Sequence, residues 1–315
     1  MMKLRAVMAA LMMVVTPVAA QQTTPIVLGT ATPGGGFPLY GDAIVAVINA
    51  TDPSLAVEPR NTKGSTENIP LLETNALDIA LVTGEPAYEA FAGIGRPRTA
   101  LKIIAAMYST PGMFVLRADN PARAIADLTD KPVAFGARGS GLVILARYVL
   151  DGIELDPEKD FQAVYLDHAG DGPAMVLDGR VAALWGGGAG WPGFAAVANA
   201  PGGARFIAPD AAQAARIRAK HGFLKPMTVP AGSYPGQTIP IASVGSWSFI
   251  LARASLDDDV AYRLARALDR GKDALGARLA QARETTAANT AAAAPDVSLI
   301  HPGVLRYLRE IGVVK

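Results

Sequence analysis

The chain has 315 residues, half of them hydrophobic and 18% charged, which excludes disorder as its general state and leaves room for two ordinary domains. Its 29 basic and 28 acidic side chains nearly cancel, so no basic excess exists to grip a phosphate backbone and nucleic acid is excluded as a partner. Cysteine is absent and the three histidines, His168, His221 and His301, are scattered, which removes thiol chemistry, disulfides and a Cys- or His-rich metal centre.

Lys3 and Arg5 precede an apolar run from Ala6 to Val15, too short to span a bilayer, and Val18-Ala19-Ala20 offers small residues for cleavage. Residues 1–20 therefore read as a secretory signal peptide cleaved near Ala20. The mature chain is expected to begin near Gln21 and to be a soluble protein of a Gram-negative periplasm. Pro25–Thr30 reads as a strand that breaks into Thr32-Pro33-Gly34-Gly35-Gly36-Phe37, with a helix following from Leu39 to Ala50. A strand at Leu55–Arg60, the turn Lys63-Gly64-Ser65, a helix over Thr66–Thr74 and a buried strand at Leu77–Val82 come next. Strands alternating with helices imply a largely parallel α/β sheet.

The order then recurs. Lys131–Phe135 is a strand, broken by Gly136-Ala137-Arg138-Gly139-Ser140-Gly141, and Leu142, Leu145, Ala146 and Val149 follow at helical spacing. A short helix at Pro173–Leu177 leads to the strand Val181–Leu184, which ends at Trp185-Gly186-Gly187-Gly188. Two similar lobes are the expected result. Met113–Leu116 and Ser248–Leu251 read as hinge strands between them. Ser255 is the expected N-cap of the last amphipathic segment, with Asp257, Asp258 and Asp259 in its first turn. The Ala-rich stretch Thr285–Ala294 reads as exposed and loosely specified.

Glycines after a strand let the backbone approach a ligand, and the helix that follows aims free N–H groups and its positive dipole end there. Gly34–Phe37 and Gly139–Gly141 are two such loops and Lys63-Gly64-Ser65 a third helix start. Nucleotide binding fails on order, because Lys63-Gly64-Ser65 reverses the P-loop triplet and neither glycine loop spells G-x-G-x-x-G. Gly139-Ser140-Gly141 lacks the spacing of a nucleophile elbow, His168 reads as a loop residue, and Asp167, Asp171 and Asp257–Asp259 suit loops and helix starts. No catalytic constellation emerges, so a binding protein without cofactor or metal is expected. Lys63 and Arg138 would supply cations, Ser65 and Ser140 would cap their helices, and Phe37, Tyr88, Trp185, Trp191 and Tyr234 would wall an apolar pocket.

Several of these segments, in this order, resemble the TAXI family, the extracytoplasmic solute receptors of one class of TRAP transporters. They are Gly34-Gly35-Gly36-Phe37, Gly64-Ser65-Thr66-Glu67-Asn68, Leu77–Val82, Gly136–Gly141, Asp178–Ala183, Tyr234-Pro235-Gly236-Gln237 and His301-Pro302-Gly303. The resemblance implies a type II periplasmic-binding-protein fold, two Rossmann-like α/β lobes joined by hinge strands. Residues 21–112 would begin lobe I, 113–254 would form lobe II with hinge strands, and the helices of 255–315 would return to lobe I. It implies capture of a small organic anion, a carboxylate or acidic amino acid, in the interlobe cleft and delivery to the membrane subunits of a TRAP transporter by a monomer. Site positions carried over by motif are Gly35, Gly36, Phe37, Ser65 and Asn68 in lobe I, with Ser140, Gly141, Trp185, Gly186 and Gly187 in lobe II. The loops themselves add Lys63, Arg138 and Tyr234. Lys63 and Arg138 stand where the family usually has small residues. The same fold serves ABC importers, and a ligand-loaded receptor can also dock on a sensor kinase; these are the alternative partners.

Overall fold

Runs of β-branched and apolar residues bounded by glycine and proline turns produce ten strands among residues 23–315, which the computed structural model describes. The expected signal peptide lies outside the described residues. The first section runs β1 (Thr24–Gly29), α1 (Gly36–Thr51), β2 (Leu55–Arg60), α2 (Ser65–Glu73), β3 (Ile79–Val82), α3 (Gly84–Ala92) and β4 (Lys102–Arg117). The second runs β5 (Pro132–Ala137), α4 (Gly141–Asp151), β6 (Gln162–Leu166), α5 (Gly172–Leu177), β7 (Ala183–Gly187), α6 (Pro192–Ala198), β8 (Ala204–Ile207), α7 (Ala211–Lys220), β9 (Lys225–Val229) and β10 (Ile241–Ala252). Four further helices follow: α8 (Asp258–Arg270), α9 (Lys272–Arg278), α10 (Ala287–Ala293) and α11 (Pro302–Glu310).

In lobe I the strand order is β2-β1-β3-β10-β4, with β1 parallel to β2 and β3, and β10 antiparallel to both of its neighbours. In lobe II β5 lies between β6 and β7, parallel to both, and the second half of β4 pairs antiparallel with β7 and β8. Two long strands join the lobes. β4 has 16 residues; Lys102–Ser109 pairs with β10 in lobe I, while Gly112–Arg117 pairs inside lobe II. The expected hinge runs are halves of these strands anchored in opposite lobes, Met113–Leu116 in lobe II and Ser248–Leu251 in lobe I.

Each sheet is covered on both faces, which is why its strands read as apolar runs. Within β4, Phe114 and Leu116 enter one lobe II core with Phe135, Leu145 and Trp185. Met113 and Val115 enter the other with Leu184 and Phe194, the two-residue alternation of a strand. In lobe I, Leu28, Ile44 and Leu81 pack with Leu264 and Leu268 of α8 and Val304 and Leu308 of α11, so the last helices close over the first sheet. Asp52 at the end of α1 ties this packing down by accepting two hydrogen bonds from Arg263 of α8.

Two local expectations are corrected. Asp257, and not Ser255, is the N-cap of α8, its carboxylate accepting from the amides of Asp259 and Val260; Ser255 instead joins Arg253 and Asn75. The Ala-rich stretch is held against β4. Thr290 accepts from the Ala106 amide, and Thr285 donates to the Met107 carbonyl and bonds the buried Tyr40 hydroxyl. The two threonines are the buried residues that hold it there, while Ala288 and Ala292 are exposed as expected.

Candidate functional site

In an open α/β sheet the loops beyond the carboxyl ends of the strands are where backbone amides and glycines gather. Here the loops of both lobes meet around one cavity of about 50 Å3, enough for a few water molecules at roughly 10–15 Å3 each. Four helices begin on it: α1 after Gly35, α2 after Gly64, α3 after Thr83 and α4 after Ser140. The first turns of α1, α2 and α3 have no side-chain cap, while the Ser140 hydroxyl accepts from the Leu142 amide. In α2 the Thr66 amide is taken by the Gly139 carbonyl; the remaining helix-start amides and the aligned dipole ends make this an electropositive lining without a buried cation.

The wall is hydroxylic and aromatic. Thr32, Ser65, Thr83, Thr110, Ser140 and Ser248 line it together with Phe37, Tyr108, Leu142 and Trp191. Thr110 and Ser248 come from the two crossing strands and share a hydrogen bond of 3.1 Å. The β4–β10 register slips between Trp247 and Phe249, and such a bulge re-aims the residue it contains, here Ser248. Tyr108 is buried against Tyr40 edge to face, and burial holds its hydroxyl far above the ordinary tyrosine range. Among the described residues no cluster of His, Asp and Glu could hold a metal ion.

The cleft is closed, with the lobes touching through glycines. A Cβ on Gly34 would lie 2.6 Å from the Gly170 Cα, and one on Gly139 2.4 Å from the Lys63 carbonyl oxygen. A Cβ on Gly141 would fall 1.7 Å from the Thr83 hydroxyl. Real Cβ atoms do not approach so closely, so these positions fix how tightly the lobes shut. Farther from the cavity, Tyr88 of α3 stacks on Phe223 at 4.0 Å, and Tyr148 of α4 donates to Glu89 of α3.

Of the positions singled out from sequence, Gly35, Gly36, Phe37, Lys63, Ser65, Ser140, Gly187 and Trp191 line the cavity. Ser65 is the first residue of α2 and caps nothing; its hydroxyl accepts from the Thr83 amide across the sheet. Lys63 is exposed and reaches the cavity at its rim, and Gly141 sits in the lobe contact. The others stand off the wall. Asn68 is buried beneath it, donating to the carbonyls of Thr30 and Leu81. Arg138 is exposed and lies over the Tyr165 ring. Trp185 is fully buried in the lobe II core, where its indole donates to the Leu142 carbonyl. Gly186 is pressed under the Trp191 ring, which a Cβ would meet at 2.6 Å, and the Tyr234 hydroxyl accepts from the Trp191 amide. Trp191 is therefore the indole on the wall, and Trp185, Gly186 and Tyr234 position it or its neighbours.

Tyr108, Thr110 and Ser248 also line the cavity and were missed by sequence reasoning. A signal existed for the strand residues: Tyr108-Ser109-Thr110-Pro111-Gly112 interrupts an otherwise apolar 16-residue strand, as Ser243, Ser246 and Ser248 interrupt β10. A polar break in a doubly covered strand marks a face that meets something other than the core.

The fold and site together define a two-lobed α/β protein with the architecture of periplasmic binding proteins, its cleft at the lobe junction. Malate-bound MatC from Rhodopseudomonas palustris superposes with a TM-score of 0.58 at 15% identity, covering 95% of this chain and 100% of that one. A TctC solute binding protein from Polaromonas gives 0.51 at 17%, covering 90% and 98%. The alkanesulfonate-binding protein SsuA from Xanthomonas axonopodis pv. citri, bound to MOPS, gives 0.50 at 17%, covering 92% and 85%. The NMT1-like family matches residues 28–312, and the chain belongs to that family.

Proposed function

We propose that this protein is a periplasmic receptor that captures a small organic anion, a carboxylate or acidic amino acid, between its lobes and delivers it to the membrane subunits of a TRAP-type transporter. The observation that carries the reading is the convergence of four helix starts, three of them without a side-chain cap, on one closed cavity lined by hydroxyls and aromatic rings. Helix amides and hydroxyl donors favour oxygens that carry negative charge, and the aromatic walls suit a carbon skeleton. Two of the structural neighbours carry bound anions, malate in one and the sulfonate MOPS in the other, which supports the same chemistry here. Residues 1–20 act as the export signal. Residues 21–112 with 255–315 form lobe I and 113–254 form lobe II with the hinge strands, and the family position between ligand capture and delivery leaves catalysis without a role.

A solute touching both lobes favours the closed state over the open one, and closure presents a composite surface to the membrane partner. A thermal-shift and calorimetric screen of the chain from Gln21, against dicarboxylates, acidic amino acids, keto acids and sulfonates, tests this. Binding to the native state at a hundredfold excess over Kd stabilises it by about 2.7 kcal/mol, a visible shift. Binding of neutral sugars or cationic solutes, with silence across the anions, overturns the reading.

A further inference from the structure

Thr83 and Glu85 stand two residues apart at the start of α3, and both are buried with an oxygen left without a hydrogen-bond partner. Thr83 lines the cavity and its Oγ1 is the orphan. Glu85 lies fully buried behind it: Oε1 accepts from the Ser246 hydroxyl of β10, and Oε2 has no donor. An ionised carboxylate with one oxygen buried and unpaired is costly, whereas a carboxylic acid has a proton to give. Thr83 is the neighbour of that carboxyl, no hydrogen bond joins the two in this structure, and a hydroxyl can donate to the ionised form or accept from the neutral acid.

Resting on the receptor reading above, we propose that the site takes its anion together with a proton held on Glu85, with the Thr83 hydroxyl carrying the linkage. A hydroxyl has one hydrogen. When Glu85 is neutral, Thr83 accepts from it and turns its own hydrogen to the solute. When Glu85 is ionised, Thr83 donates backward and presents a lone pair to the anion instead. Ser65 is arranged in the same sense, since its oxygen already accepts from the Thr83 amide and its hydrogen remains for the cavity. Closure belongs to the device, because Gly141 of lobe II packs directly on the Thr83 hydroxyl and seals the pair from water.

The surroundings favour the neutral acid. Burial pushes the Glu85 carboxyl up to about 7, and Glu89, one turn along α3, adds to the rise. From α4 the facing ionisable group is Tyr148, whose hydroxyl donates to Glu89. From β10 come Ser246 and Trp247, which carry no charge. The carboxylates of α2 are engaged elsewhere, Glu67 with the Lys63 amide and Glu73 with Arg96.

The test is titration calorimetry of the chain from Gln21 with malate, L-glutamate and 2-oxoglutarate, from pH 6 to 9, in two buffers of different ionisation heat. The expected result is proton uptake on binding and an affinity that falls by about tenfold per pH unit above neutrality. Glu85→Gln preserves shape and a hydrogen-bonding amide, and should bind with nearly pH-independent affinity and no proton uptake. Thr83→Val should lose both affinity and linkage, and Thr83→Ser should restore them. Pronounced pH dependence retained in Glu85→Gln, or pH-independent affinity in the wild type, overturns the proposal and leaves the receptor reading standing. Failure of every anion to bind at any pH removes the receptor reading and the proposal with it.

Discussion

The carbonyl oxygen of Gly139 in lobe II accepts two hydrogen bonds from Thr66 in lobe I, one from the amide at 3.3 Å and one from the hydroxyl at 3.0 Å. The contact exists only when the cleft is shut, and it is made possible by a residue without a side chain pressed on the Lys63 carbonyl. Gly139→Val should hold the lobes apart. Its expected outcome is a solute affinity weakened at least about tenfold, roughly 1.4 kcal/mol or more in binding, with the ligand-free Tm little changed. Calorimetry checks the first part and small-angle scattering the second, since the variant should keep the open envelope when solute is added.

The two indoles on either side of β7 are expected to separate stability from binding. Trp185 is enclosed by Phe114 and Leu142, so Trp185→Ala should cost about 3–5 kcal/mol in urea unfolding. Trp191 faces the cavity, and Trp191→Phe should leave the fold nearly intact and lower solute affinity. Equal losses of affinity in both variants, measured on folded protein, would remove the distinction.

Acid should loosen the junction of α1 and α8. The Arg263 guanidinium beside Asp52 holds its carboxyl well below the usual carboxylate range. A depressed folded-state pKa gives stability that is fully present above the unfolded value, about 4, and is lost as pH falls through the folded one. Asp52→Asn should lower stability at pH 6 and flatten the decline from pH 5 to 2, as read by urea midpoints at each pH.

His301 should make the C-terminal helix sensitive to mild acid. Its Nδ1 accepts from the Gly303 amide at the start of α11 and its Nε2 faces the Leu256 carbonyl, an arrangement that requires the neutral ring. Burial pushes its pKa below the ordinary histidine value. The stability it contributes is therefore present above about pH 6.5 and is lost as pH falls through the lower folded value. Protection factors for hydrogen exchange in Pro302–Glu310, corrected for the intrinsic slowing of exchange in acid, should fall at pH 5 relative to pH 7.5. His301→Asn, which can still cap, should show a smaller loss of protection.

Much of the architecture was legible because hydrophobic periodicity and glycine punctuation are local signals. The strand Leu55–Arg60 and the helix over Leu142, Leu145, Ala146 and Val149 stand where their patterns put them. The glycine loops were equally legible, since a chain that must approach another backbone leaves that requirement in its sequence. What was not legible is which of two similar side chains faces the cavity. Trp185 and Trp191 flank the same glycines, and only the strand pleat, which sends Trp185 into one core while Gly186 leaves room for Trp191, decides between them. Arg138 illustrates a second limit, because a cation next to a helix start lies over Tyr165 instead, a residue far along the chain. Thr83 shows a third limit: its close contact with Gly141 comes from the other lobe and has no local signal.

Ser248 stands where the β4–β10 ladder slips, and also in the cavity wall. On the receptor reading, a solute oxygen held there would lie between the strands that join the lobes, while the contacts at Gly139 and Gly170 would part on opening. On that reading chemical identity would be sensed at the crossing strands and bulk at the glycine rims. A solute with the right oxygens but one carbon too many would still be gripped at those strands yet keep the rims from meeting, so it would occupy the receptor without completing its signal of readiness.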